Sequence, residues 1–170
     1  YGRASKLKEL YTPAAGNDWV PDDPNHRVDV NYGTFHGPMM AESLIGNILY
    51  FSHHTPAVLA NQQDHRWDRS AQEGIRLLKD QTVLIIGYGN IGRTCAKLLI
   101  PFGCHIIGLK RSISSSIDEY GVECITQENI YKALERSDHV VLILPSGAST
   151  DGFFTREYFT YMKSSGVLYN

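Results

Sequence analysis

Residues 82–92 read Thr-Val-Leu-Ile-Ile-Gly-Tyr-Gly-Asn-Ile-Gly, an apolar run that passes directly into glycines spaced G-x-G-x-x-G. Val83, Leu84, Ile85 and Ile86 show no polar alternation, which predicts a strand buried on both faces, as in a parallel sheet. Gly87 permits a tight exit from that strand, Gly89 lets the backbone approach a pyrophosphate, and Gly92 lets the next helix pack close to the strand. A helix starting near Asn90 also offers unpaired N–H groups and the positive end of its dipole to phosphates. The stretch therefore predicts a dinucleotide-binding turn, with Gly87, Tyr88, Gly89, Asn90, Ile91 and Gly92 as cofactor-binding candidates.

With 15 glycines in 170 residues, such a spacing can arise in a plain surface turn, so the flanking pattern carries the argument. Ile91, Cys95, Leu98, Leu99 and Phe102 recur at helical spacing, and Pro101 and Gly103 punctuate the helix end. Cys104-His105-Ile106-Ile107-Gly108-Leu109 then reads as a second strand, which completes a βαβ unit. Further on, residues 112–116 read as a loop, 127–135 as a helix, and 139–144 as a third buried strand ended by Pro145. Residues 155–163 read as a helix capped by Thr155, and 166–170 as a fourth strand. A whole dinucleotide-binding domain has about six strands. Four predict an incomplete doubly wound α/β sheet of the Rossmann type.

Upstream, Met39, Met40, Leu44, Ile45, Ile48, Leu49 and Phe51 give a helix over 38–51 an apolar surface too broad for one-sided packing. A buried core helix explains it, and so does a subunit interface. A second helical pattern covers 57–63. The first 35 residues are rich in Pro, Asn, Asp and Gly, with one apolar segment at Leu10-Tyr11 and a strand-like alternation at 27–31. We read 1–35 as the remnant of another unit and 36–170 as the dinucleotide-binding domain with its C-terminal part missing.

The composition, 42% hydrophobic and 20% charged, is that of an ordinary globular chain. A formal charge of -2 leaves no basic stripe for a nucleic-acid backbone. No apolar stretch approaches the roughly 18–20 residues that span a bilayer, and no signal-peptide pattern opens the chain. A cytoplasmic location is expected, and an organellar presequence removed earlier is compatible with the same residues. Cys95, Cys104 and Cys124 form no metal or disulfide pattern and read as reduced, buried thiols. The seven histidines lack metal-ligand spacing and read as residues of surfaces and helix ends.

In order along the chain, these segments resemble the D-isomer-specific 2-hydroxyacid dehydrogenases. Thr12-Pro13-Ala14-Ala15-Gly16-Asn17-Asp18 is similar to the family's glycine loop, and Ala41-Glu42 to the Ala-Glu pair of a helix there. Trp67, the fingerprint, Ser137-Asp138-His139-Val140-Val141, Leu144-Pro145 with Thr150, and Met162-Lys163 up to Asn170 also match. The resemblance implies hydride transfer between a nicotinamide and a small 2-oxo or 2-hydroxy acid. It implies that backbone N–H groups of Ala15 and Gly16 hold the substrate carboxylate, where the residues alone admit a plain turn. It places Met40 near the nicotinamide, a position equally readable as core filler, and Leu144, Pro145, Ser146 and Thr150 along the cofactor crevice. The family's catalytic Arg would follow Asn170 closely, with its Glu and His later still, so no catalytic residue is assigned here and a longer enzyme is implied. A homodimer through the 38–51 helix is also implied.

The end of the second strand discriminates between cofactors. An acidic residue there accepts hydrogen bonds from the ribose hydroxyls of NAD, whereas this chain has Lys110-Arg111-Ser112. Two cations and a hydroxyl suit a 2′-phosphate, although a solvated basic corner has the same composition. The expectation is NADP(H), with NAD(H) as the lesser alternative. Relatives of this fold also serve as dinucleotide-sensing corepressors, which would be binding modules without catalysis. The extra Asn and Gln of formate dehydrogenases find no counterpart.

Overall fold

The computed structural model describes residues 4–13, 20, 23–33 and 35–170. In chain order the elements are β1 (Glu9–Thr12), β2 (Asp29–Tyr32), α1 (His36–Ser52), α2 (Thr55–Gln63), β3 (Thr82–Ile86), α3 (Asn90–Leu99) and β4 (His105–Leu109). They continue with β5 (Glu123–Ile125), α4 (Ile130–Arg136), β6 (His139–Leu142), α5 (Arg156–Tyr161) and β7 (Val167–Tyr169). Strands β3 to β7 form one sheet in the order β5-β4-β3-β6-β7, and every pairing in it is parallel. After β5 the chain crosses from one edge, through α4, to the far side of β3, which makes a topological switch point beside the central strand.

The unbroken apolar run of β3 has a direct packing cause. Val83 and Ile85 face a layer built from α1 and α3, with Leu44, Ile48, Cys95 and Leu99. Leu84 and Ile86 face the opposite layer, with Ile130, Leu134 and Tyr158 from α4 and α5. A strand covered on both sides gains from apolar side chains at every position. Helices on both faces of a parallel sheet make this the Rossmann-like arrangement expected from the sequence.

Several details differ from the expectation. The sheet has five strands among the described residues, because Glu123–Ile125 pairs with β4 at the edge. Three residues are too short to show a period of their own. On α3, Gly92, Cys95, Ala96 and Leu99 are buried, whereas Leu98 and, just past the helix, Phe102 are over a third exposed. Thr155 occupies the N-cap of α5 without a side-chain capping bond, so the helix is entered through the Thr155 carbonyl, which accepts from Tyr158 N–H. Cys104 is only half-buried, and all three cysteines are free thiols. Strand β6 stops at Leu142, before Pro145.

Helix α1 buries one face, Gly37, Ala41, Leu44, Ile48 and Ser52, and α3 is its main neighbour. Met39, Met40, Tyr50 and Phe51 stay exposed on its other sides, so α1 is not enclosed as a core helix. Ahead of it, β1 and β2 pair in parallel as a separate two-stranded sheet, Glu9 opposite Asp29. The Leu10-Tyr11 segment is thus a strand as well. No helix among the described residues is long and apolar enough to cross a membrane.

Candidate dinucleotide site

The C-terminal ends of β3, β4 and β6 open into a crevice of about 670 Å³, within the size range of about 300–1,000 Å³ usual for ligand clefts. The fingerprint forms its floor. Gly87 sits at φ +97°, and a Cβ there would lie 2.1 Å from the carbonyl oxygen of Ile143, so only glycine lets the turn pass over the end of β6. At Gly92 a Cβ would lie 2.7 Å from the Gly87 carbonyl oxygen, which explains the tight helix-to-turn approach. Gly89 differs from both. Its Cβ would meet nothing within 4 Å, so the space over it is open to a ligand.

The backbone amides divide in the same way. Gly87 and Tyr88 N–H donate to the carbonyl of Leu109, and Gly89 N–H donates to Gly87. Arg93 N–H to Gly89 O is the first bond of α3, which leaves the amides of Asn90, Ile91 and Gly92 ahead of the helical ladder. These three are the groups able to donate to a phosphate, with the helix dipole behind them.

Tyr88 has its side chain turned away from the crevice and is 1% exposed. Its ring lies on Gly108 of β4, where a Cβ would come within 2.4 Å of the ring's Cγ. The phenol donates to Asp118 Oδ2 at 2.8 Å. Burial first, and then this bond to a carboxylate, push the Tyr88 pKa well above its ordinary value. Burial alone would raise that of Asp118, but the phenol and the N–H groups of Val122 and Tyr120 outweigh it and hold the carboxyl below its ordinary value.

Across the floor, Lys110, Arg111 and Ser112 line the crevice at the end of β4. The Lys110 ammonium lies 5.9 Å from the centre of the Tyr88 ring, and Arg111 donates to Ser149 Oγ at 3.2 Å. Among the described residues neither cation has a carboxylate partner. Leu144, Pro145 and Thr150 line the facing wall, where Thr150 Oγ1 donates to the carbonyls of Pro145 and Gly147 and so holds that loop closed. Ser146 is exposed and does not line the cavity. Gln127, Ser149 and Phe153 do; Ser149 and Phe153 lie in loop, which carries no period, and Gln127 opens a helical turn whose pattern does not show what it faces.

Met40 lines a second cavity, of about 560 Å³, together with Asn47, Cys95, Leu168 and Asn170. The two cavities share Ile143. Met40 is 44% exposed, so it is not core filler. Burial pushes the Cys95 thiol up to about 11, which keeps it protonated and unreactive near neutral pH. Ala15 and Gly16 lie outside the described residues. Among the described residues no group of His, Cys, Asp and Glu could hold a metal ion.

At the opposite end of the sheet His139 opens the third buried strand, as the apolar run predicts, and so departs from the general expectation of surface and helix-end histidines. His139 is 2% exposed, not a surface histidine. Its Nε2 donates to Gln81 Oε1 at 2.6 Å, and its Nδ1 accepts from the Tyr169 hydroxyl at 2.9 Å, a set that satisfies the neutral ring. Burial depresses its pKa; Asp138 next to it opposes that, and Arg76 and Lys163 reinforce it.

Comparison with known proteins agrees with this geometry. The sequence pattern of the D-isomer specific 2-hydroxyacid dehydrogenase NAD binding domain matches residues 45–170. The hydroxypyruvate reductase of Thermotoga maritima is 29% identical over 78% of this chain, and the match spans 42% of that protein. An NADPH-dependent glyoxylate/hydroxypyruvate reductase from Sinorhizobium meliloti, solved with NADP and sulfate, superposes with a TM-score of 0.78 at 28% identity, over 92% of this chain and 48% of that one. A D-isomer specific 2-hydroxyacid dehydrogenase from Xanthobacter autotrophicus, solved with NADPH, gives 0.82 at 24% identity, over 98% of this chain and 52% of that one. The chain spans about half the length of the proteins it matches or less. With the family's pattern over most of its length and the fingerprint, crevice and five-stranded parallel sheet in place, the chain belongs to the D-isomer specific 2-hydroxyacid dehydrogenase family.

Proposed function

We propose that this chain is the dinucleotide-binding part of an NADP(H)-dependent oxidoreductase acting on a small 2-oxo or 2-hydroxy acid of the glyoxylate or hydroxypyruvate class. The observation that carries the cofactor choice is the Lys110-Arg111-Ser112 corner, two cations without carboxylate partners among the described residues. An unpaired cation facing a cleft is held ready for an anion, and a 2′-phosphate fits that corner by charge-assisted hydrogen bonds. The open space over Gly89 fits a pyrophosphate, with the amides of Asn90, Ile91 and Gly92 as its donors. A bound nicotinamide supplies or accepts the hydride. The residues of this chain bind it, orient it and exclude water around it, with Met40, Leu144 and Pro145 beside its path.

In this reading 1–35 belong to the substrate-binding unit, and Ala15 and Gly16 present backbone amides to the substrate carboxylate. The exposed apolar residues of α1, Met39, Met40, Tyr50 and Phe51, support a homodimer through that helix, which light scattering on the intact protein would register. The activity itself is tested by adding glyoxylate or hydroxypyruvate to the intact protein with NADPH. Substrate-dependent loss of NADPH absorbance is expected; binding of NADPH without turnover on any 2-oxo acid would contradict the oxidoreductase reading.

A further inference from the structure

The basic corner sits on a segment with two anchors. At its near end Lys110 N–H donates to Ile125 O at 3.0 Å, which continues the β4 to β5 ladder. At its far end Ser116 O accepts from Cys124 N–H at 2.8 Å, and Asp118 follows. Between these points Arg111 to Ser115 are exposed, so apart from the Arg111 to Ser149 bond their placement depends on the anchors. Asp118 is the one link from the far anchor to the fingerprint turn that the hydrogen bonds show among the described residues. Its Oδ1 accepts from Tyr120 and Val122 N–H at 2.9 and 3.0 Å, and its Oδ2 accepts the Tyr88 phenol at 2.8 Å. Tyr88 belongs to the fingerprint, and its ring reaches Asp118 only because position 108 is glycine. The same ring passes beneath Lys110.

We propose that Tyr88 is a positioning residue for cofactor selection. Through Asp118 it fixes the far anchor of the segment bearing Lys110, Arg111 and Ser112, and so sets the preference for a 2′-phosphorylated dinucleotide. The pyrophosphate donors of the fingerprint do not depend on this link, because they lie on α3. Loss of the phenol therefore loosens the recognition of one phosphate and leaves the other in place. The proposal rests on the NADP(H) reading above.

The test compares NADP+ and NAD+ binding to the intact protein, wild type against Tyr88→Phe, which keeps the ring and deletes only the hydroxyl. A hydrogen bond to a carboxylate predicts that the variant binds NADP+ about five- to tenfold more weakly. The NAD+ affinity should stay within about twofold, and amide hydrogen exchange over 111–117 should quicken. Asp118→Ala should lower the NADP+ preference at least as far, and the double variant no further than Asp118→Ala alone. A wild type that prefers NADP+ beside a Tyr88→Phe that keeps the whole preference, or weakens both dinucleotides equally, overturns the positioning role only. A wild type that binds NAD+ as tightly as NADP+ overturns the cofactor reading and the proposal together.

Discussion

The two ends of the parallel sheet treat polar groups in opposite ways. At the N-terminal end Asp138 accepts from Thr82 N–H, Arg76 and Lys163 at 2.8–2.9 Å, and His139, Gln81, Ser52 and Tyr169 bond to one another. At the C-terminal end Lys110 and Arg111 have no carboxylate partner among the described residues, and the first amides of α3 are left ahead of the helical ladder. Groups that satisfy one another lower the energy of the fold. Groups held apart from partners raise it slightly and remain available to a ligand. The difference supports a structural role for the first end and, in the proposed reading, a cofactor-binding role for the second.

Substitutions can break that contrast, beginning where both roles meet. Gly87→Ala forces a Cβ into the Ile143 carbonyl at a positive φ and should cost at least about 3 kcal/mol in chemical denaturation, with loss of dinucleotide binding. Asp138→Ala strips Arg76 and Lys163 of their shared carboxylate. Because those two side chains are 51% and 33% exposed, the expected loss is about 2–3 kcal/mol, less than for a fully buried pair. Cofactor affinity, read by titration at the other end of the sheet, should hardly change.

The next effect is on pH. His139 is buried neutral with a depressed pKa, so the unfolded chain takes up a proton on this ring at a higher pH than the folded protein does. Its contribution is complete above the unfolded value of about 6.5 and is lost as pH falls towards the folded one. Unfolding free energy should therefore decline below about pH 6.5 with a slope of at most about 1.4 kcal/mol per pH unit from this group. His139→Gln should flatten that slope; an unchanged slope would show that another group titrates. For Asp138, burial raises the pKa, but the bonds from Thr82, Lys163 and Arg76 prevail and depress it, so its share is lost only at more acid pH. The smallest stability effect belongs to Gly89→Ala. With open space around the new Cβ, stability should stay within about 0.5 kcal/mol, while dinucleotide affinity falls tenfold or more as the methyl meets the pyrophosphate.

The strands and helices with strong periods were legible in the sequence because their causes are local. Strand β3 is apolar at every position from Val83 to Ile86 because helices cover both its faces, and α3 shows most of its buried stripe within one segment, whereas α1 is apolar beyond the one face it buries. Strand β5 was not legible, since its three residues become a strand through pairing with β4 and a bridge between Ile117 and Glu123. The burial of His139 followed from the apolar run that it opens, but its partners did not, Gln81 lying 58 positions away. In the site, the glycines and the basic corner could be read from spacing and charge. The inward turn of Tyr88 could not, although Gly108 in the middle of an apolar strand was a usable signal, because glycine there marks a close approach by another group.

In the proposed reading the basic corner at the end of β4 selects the phosphorylated cofactor. Calorimetric titration of NADP+ and NAD+ into the intact protein, at one fixed ionic strength, measures it directly. Two charge-assisted contacts predict that NADP+ binds at least about tenfold more tightly. Equal affinities, or tighter binding of NAD+, would contradict the account.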